Sequence, residues 1–143
     1  MDIEKGFAVS ASGLEAQKRR LEVIASNLAN AQATRTREGG PYRRKDVIFR
    51  TTAVKAAFDE PDAFPEIYEG VRIDKLIKDK RPFKNVFEPS HPDADLDGYV
   101  RYPNVEPVVE MVNMLSALRS YEANVTALDA SKSMALKALE IGR

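Results

Sequence analysis

The sequence predicts an α+β chain in which long N- and C-terminal helices pair as a coiled coil, with a small β-rich insert between them. Both ends carry a seven-residue apolar period. Seven of the 8 prolines lie between Pro41 and Pro103, and β-branched clusters gather in that same middle stretch. The expected divisions are residues 1–36 for the N-terminal helix, 37–104 for the insert and 105–143 for the C-terminal helix.

In the first helix, Phe7, Leu14, Leu21 and Leu28 stand one heptad apart. Ile3, Ser10, Gln17, Ile24 and Ala31 fill the companion position, which predicts helix over 2–31 with a narrow seam for another helix. Lys5, Glu15, Lys18, Arg19, Arg20 and Glu22 stay off the stripe. In the insert, Lys45–Val54, Gly70–Leu76, Phe83–Phe87 and Tyr99–Tyr102 read as short strands, and the prolines between them confine helix to short pieces. The last helix is expected over 106–141. Met111, Leu118, Val125, Lys132 and Leu139 alternate there with Met114, Tyr121, Leu128 and Ala135, while Asn104 is a candidate cap, Pro107 a first-turn residue and Gly142 a stop.

Burying Phe7, Leu14, Leu21, Ile24 and Leu28 is worth on the order of 7–15 kcal/mol at most. Ordering the helix costs roughly 1–2 kcal/mol of backbone entropy per residue, and Gly6 and Gly13 add about 1 kcal/mol each. Such a helix needs a partner surface, so the termini are expected to reach full order when subunits assemble.

Composition narrows the function. The 22 basic residues balance 22 acidic ones, so no global charge points to nucleic acid or an anionic membrane. No apolar run is long enough to span a bilayer, and Asp2 and Glu4 stand where a secretory signal would be basic. With no cysteine and one histidine, His91, thiolate chemistry is excluded and a triad or zinc site would rest on a single imidazole. His91 reads as a loop residue. Asp93–Gly98 (DADLDG) matches the first half of a calcium loop, but Arg101 and Asn104 occupy the later ligand positions, which leaves an Asx-type turn. The basic stretch Arg35–Arg50 raises nucleic-acid binding as a rival, opposed by the acidic stretch that follows it. No nucleophile elbow, phosphate loop or zincin motif occurs, so no enzyme, cofactor or metal site is expected.

The run SASGLEAQKRRLEVIASNLANAQATRT (10–36) and the run EMVNMLSALRSYEANVTALDASKSMALKALEIG (110–142) resemble the terminal helices of the flagellar rod and hook axial proteins. GGPYRRKDVIF (39–49), EGVRIDKL (69–76) and HPDADLDGYVRYPNVEP (91–107) resemble the proximal rod members in particular. One departure is ATRTR at 33–37, where distal relatives carry a glycine-centred turn. The resemblance implies a non-enzymatic subunit of the basal-body rod, with its terminal helices lining an axial tube. It also implies export through the flagellar type III apparatus without a cleavable signal. Its partners would be copies of itself, the rod proteins FlgB and FlgF, and FliE. The implied interface residues are Phe7, Leu14, Leu21, Ile24, Leu28, Met111, Leu118, Tyr121, Val125, Leu128 and Leu139, with Asn27 and Asn30 capping or cross-linking the helix end.

The zero net charge is a sum of blocks: +5 over residues 32–58, −5 over 59–70, +4 over 71–87 and −3 over 88–105. Arg43, Arg44 and Lys45 on one side and Asp59, Glu60 and Asp62 on the other are thus candidates for complementary patches between subunits.

Overall fold

A computed structural model describes residues 3–54 and 68–141. The elements are α1 (Ile3–Ala29), β1 (Lys45–Val54), β2 (Tyr68–Lys78), β3 (Lys84–Phe87), β4 (Tyr99–Tyr102) and α2 (Pro107–Ile141). β1 pairs with β2, and β3 pairs with β4. Two long helices therefore flank a small β region, the α+β class the periodicity predicts. Pro107 opens α2, where a missing N–H costs nothing. Gly142 lies outside the described residues.

Contacts group the chain into two units, one drawn from 1–19, 48–75 and 116–143 and the other from 20–47 and 76–115. In the first, α1 and α2 run antiparallel at close range. A Cβ placed on Gly6 would meet Ser131 Oγ at 3.8 Å, and one on Gly13 would meet Asn124 Nδ2 at 2.9 Å and Cγ at 3.2 Å. The two glycines are one heptad apart, and so are Asn124 and Ser131, so the helices meet along a column next to the expected one. Phe7 and Leu14 flank this contact half-buried. The helix penalty of Gly13 is thereby explained, because any side chain there would push on Asn124. Gly13→Val is expected to destabilise the chain by about 1–3 kcal/mol through overpacking. Gly6→Ala, with ordinary contact distance available, should stabilise it by up to about 1 kcal/mol through helix propensity. Urea unfolding followed by circular dichroism reads both. In the same unit Ser12 Oγ donates to the Val9 carbonyl at 2.7 Å and accepts the Val71 N–H at 3.0 Å, which ties β2 to α1.

In the second unit β3 and β4 are antiparallel, from Lys84 opposite Tyr102 to Phe87 opposite Tyr99. Ile24, Tyr42, Val100 and Val105 are buried there. The DADLDG segment turns on Asp95, whose Oδ1 accepts the N–H groups of Asp97 at 3.1 Å and Tyr99 at 2.8 Å. Gly98 closes the turn at φ +80°, where a Cβ would lie 2.9 Å from the Phe87 ring. His91 Nδ1 accepts the Asp93 N–H at 3.1 Å, which makes it a loop-bracing group.

One expectation about helix geometry is corrected. Asn104 does not cap α2; its Oδ1 accepts the Arg44 N–H at 2.9 Å and its Nδ2 donates to the Arg81 carbonyl at 3.2 Å. Met111, Leu118 and Leu139, expected at subunit or helix interfaces, are exposed by 59%, 40% and 72% in the single chain. Val108, Val109, Val112, Leu115, Met134 and Leu136 are exposed as well, because α2 is apolar on more than one face and α1 can cover only one.

Candidate functional site

Among the described residues, a buried polar knot forms where the end of α1, the start of β1 and the first turn of α2 meet. Asn27 is fully buried. Its Nδ2 donates to the Lys45 carbonyl at 2.8 Å and to Glu110 Oε2 at 2.9 Å. Its Oδ1 accepts the Tyr42 hydroxyl at 3.0 Å and the Lys45 N–H at 3.0 Å. Both donors and both acceptor sites of the carboxamide are satisfied. By binding the N–H and carbonyl of one residue, the amide stands in for a neighbouring strand where β1 begins.

The chain reaches this geometry through the ATRTR loop. After α1, Asn30 Nδ2 donates back to the Ser26 carbonyl at 2.8 Å, closing the helix end. The Tyr42 N–H then bonds the Ala33 carbonyl at 2.9 Å and the Thr36 N–H bonds the Gly40 carbonyl at 2.9 Å. Gly39 and Gly40 take positive φ to make that turn. The loop thus folds back and delivers the Tyr42 hydroxyl to Asn27.

Glu110 completes the knot. It is fully buried, and its Oε1 accepts a hydrogen bond from Arg44 Nε at 2.7 Å. Arg44 Nη1 also donates to Asp46 Oδ2 at 2.9 Å and lies 3.8 Å from Asp79 Oδ2. Burial opposes the charge on Arg44, but hydrogen bonds to Asp46 and Glu110 outweigh it and raise its pKa above the ordinary value. The guanidinium is a fixed charge set directly against the buried acid. Arg43 clamps the segment beyond β2, with Nη1 donating to the Asp79 and Arg81 carbonyls at 2.8 and 3.2 Å and its guanidinium 4.2 Å over the Phe83 ring.

Asp79 is held below the ordinary carboxylate range, first by the hydrogen bond from the Arg81 side chain and then by the Arg81 N–H. The Lys78 hydrogen bond does the same for Glu38. A carboxylate whose folded pKa is depressed contributes its stability in full above its unfolded pKa and loses it as pH falls through the folded value. Urea midpoints should therefore fall as pH drops from about 5 to about 3, with a shallower fall in Asp79→Asn.

The residues expected at interfaces are distributed unevenly. Ile24 and Asn27 are buried; Phe7, Leu14, Leu21, Leu28, Asn30, Tyr121, Val125 and Leu128 are half-buried. Arg44 belongs to the knot and is not free to form a patch, whereas Arg43 and Lys45 line a cleft. Asp59, Glu60 and Asp62 lie outside the described residues. Sequence reasoning missed Glu110, Tyr42 and Asn104 as partners. The available signal for the first was a single acid inside the apolar run Val108, Val109, Met111, Val112.

Two long terminal helices flank a small β region that holds a buried polar knot, an arrangement that comparison with known proteins assigns to a class of structural axial subunits. Residues 7–35 match the model described as flagella basal body rod protein. Residues 96–141 match flagellar basal body rod FlgEFG protein C-terminal. The chain is 44% identical to the flagellar basal-body rod protein FlgC of Bacillus subtilis, covering 94% of this chain and 95% of that protein. To the FlgC of Borreliella burgdorferi it is 43% identical, covering 99% and 98%, and to that of Salmonella typhimurium 44%, covering 96% of each. The chain belongs to the FlgC family, a family of structural flagellar rod subunits and not of enzymes.

Proposed function

We propose that this chain polymerises as a subunit of the proximal rod, its terminal helices completing their packing against neighbouring subunits. The observation that carries this reading is the apolar face of α2. Val108, Met111, Val112, Leu115 and Leu118 follow helical spacing and are exposed by 40–74%. Covering them is worth about 1 kcal/mol each, since full burial of such a side chain yields roughly 1.5–3 kcal/mol. The neighbours are copies of the chain and the rod proteins FlgB and FlgF, with FliE at the base and the type III export apparatus delivering the unfolded subunit. The rod they build spans the periplasm. Absence of cysteine suits that delivery, because no disulfide can block threading.

The test is the presence of the chain in purified basal bodies, and its loss when Val112 and Leu115 become aspartate. Coupled folding is read separately, from helicity that rises with protein concentration in the far ultraviolet; full helicity and cooperative melting of a dilute monomer would remove that step.

A further inference from the structure

We propose that a basic cleft in the second unit receives the acidic segment of residues 59–69 from another copy of the chain. The cleft holds about 420 Å³, with Arg37, Arg43, Lys45 and Lys78 around the rings of Tyr42 and Phe83. Glu38 is the one carboxylate in its lining, and it is bound to Lys78 Nζ at 2.8 Å. Arg43 bonds only carbonyls and faces the Phe83 ring, and Lys45 Nζ stands 5.7 Å from the Tyr42 ring centroid. Among the described residues, Arg37, Arg43 and Lys45 make no ion pair with a carboxylate, so the cleft carries an uncompensated positive charge.

The chain itself holds the complementary ligand. Residues 59–69 (DEPDAFPEIYE) contain five acids and no base. Phe64 stands among those acids in the sequence, a residue type that stacks on aromatic rings. The segment's five acids complement the unpaired cations of the cleft, and rod assembly brings copies of the chain together. A head-to-tail contact of this kind can repeat along a filament. This deepens the rod-subunit reading and rests on it for bringing copies together.

Because the chain has no cysteine, cross-linking can be made specific. Lys78→Cys and Asp62→Cys chains are co-expressed in cells that build rods and treated with a short bismaleimide. A covalent dimer is expected when both variants are present and not with either alone. Assembled rods that yield no dimer would overturn the proposal while leaving the rod-subunit reading intact. Absence of the wild-type chain from basal bodies would remove both. A second measurement needs no assembly: a labelled peptide of residues 58–69 is titrated onto the intact chain. Binding should weaken at least tenfold in Arg37→Glu/Lys78→Glu, with helicity unchanged. Equal affinity for that variant, or for a shuffled peptide of the same composition, would overturn the proposal.

Discussion

Asn27→Asp is expected to lower the unfolding free energy by about 3–5 kcal/mol at neutral pH, although the two side chains have the same shape. The substitution replaces one nitrogen by one oxygen. That nitrogen donates to the Lys45 carbonyl at 2.8 Å and to Glu110 Oε2 at 2.9 Å. An aspartate would set an oxygen against two acceptors, one of them a buried carboxylate already committed to Arg44. No water can relieve the clash at a site with no exposed surface. Against a total stability of about 5–15 kcal/mol for an ordinary domain, the loss should be visible as a large drop in urea midpoint.

A second substitution makes the assignment specific. Glu110→Gln alone costs a charge-assisted bond, since its amide can keep either Arg44 or Asn27 satisfied through oxygen but not both. In the double variant Asn27→Asp/Glu110→Gln, the new amide donates to the new carboxylate and its oxygen still accepts from Arg44 Nε. The double variant should therefore be more stable than Asn27→Asp alone, with a coupling of about 1–3 kcal/mol in the cycle. Additive effects would mean that the two side chains do not act as a pair.

Periodicity shows how far the sequence could be read. The heptads locate α1 and α2 to within two residues at each end, because the apolar repeat is long and the breakers, Pro103 and Pro107, stand close outside or at the first turn. β1 and β4 coincide with their expected spans for the same local reason. β2 runs two residues further at each end than its β-branched core suggests, since the ladder continues where the Asp79 N–H reaches the Arg44 carbonyl at 2.8 Å. The knot was legible only at Asn27. Its other members are brought together across sequence separations of 83 residues for Asn27 with Glu110 and 66 for Arg44 with Glu110, and no local pattern encodes a partner that distant. Gly13 looked like a defect in a helix, and its meaning depends on Asn124, which only the fold places opposite it.

The second large effect is on assembly. Val112→Asp with Leu115→Asp should abolish rods and motility while leaving the isolated chain folded. Both side chains are more than half exposed, so each aspartate should cost the monomer no more than about 0.5 kcal/mol, plus a similar helix-propensity term. At a subunit contact the balance reverses. Each subunit would bring two charges into an apolar surface, and desolvating an unpaired carboxylate costs several kcal/mol, more than the face gains by being covered. Leu21 and Leu128, the seam positions singled out by the heptad, are less suitable because they are half-buried in the single chain and aspartate there would damage the monomer as well. The comparison is made by matching the far-ultraviolet spectrum of the purified double variant to the wild type, then scoring basal bodies and swimming in cells that carry only that variant. An unchanged spectrum with no rods identifies the α2 face as an assembly surface; an unchanged spectrum with normal rods would show that this face stays open in the rod and that the contacts lie elsewhere on the subunit.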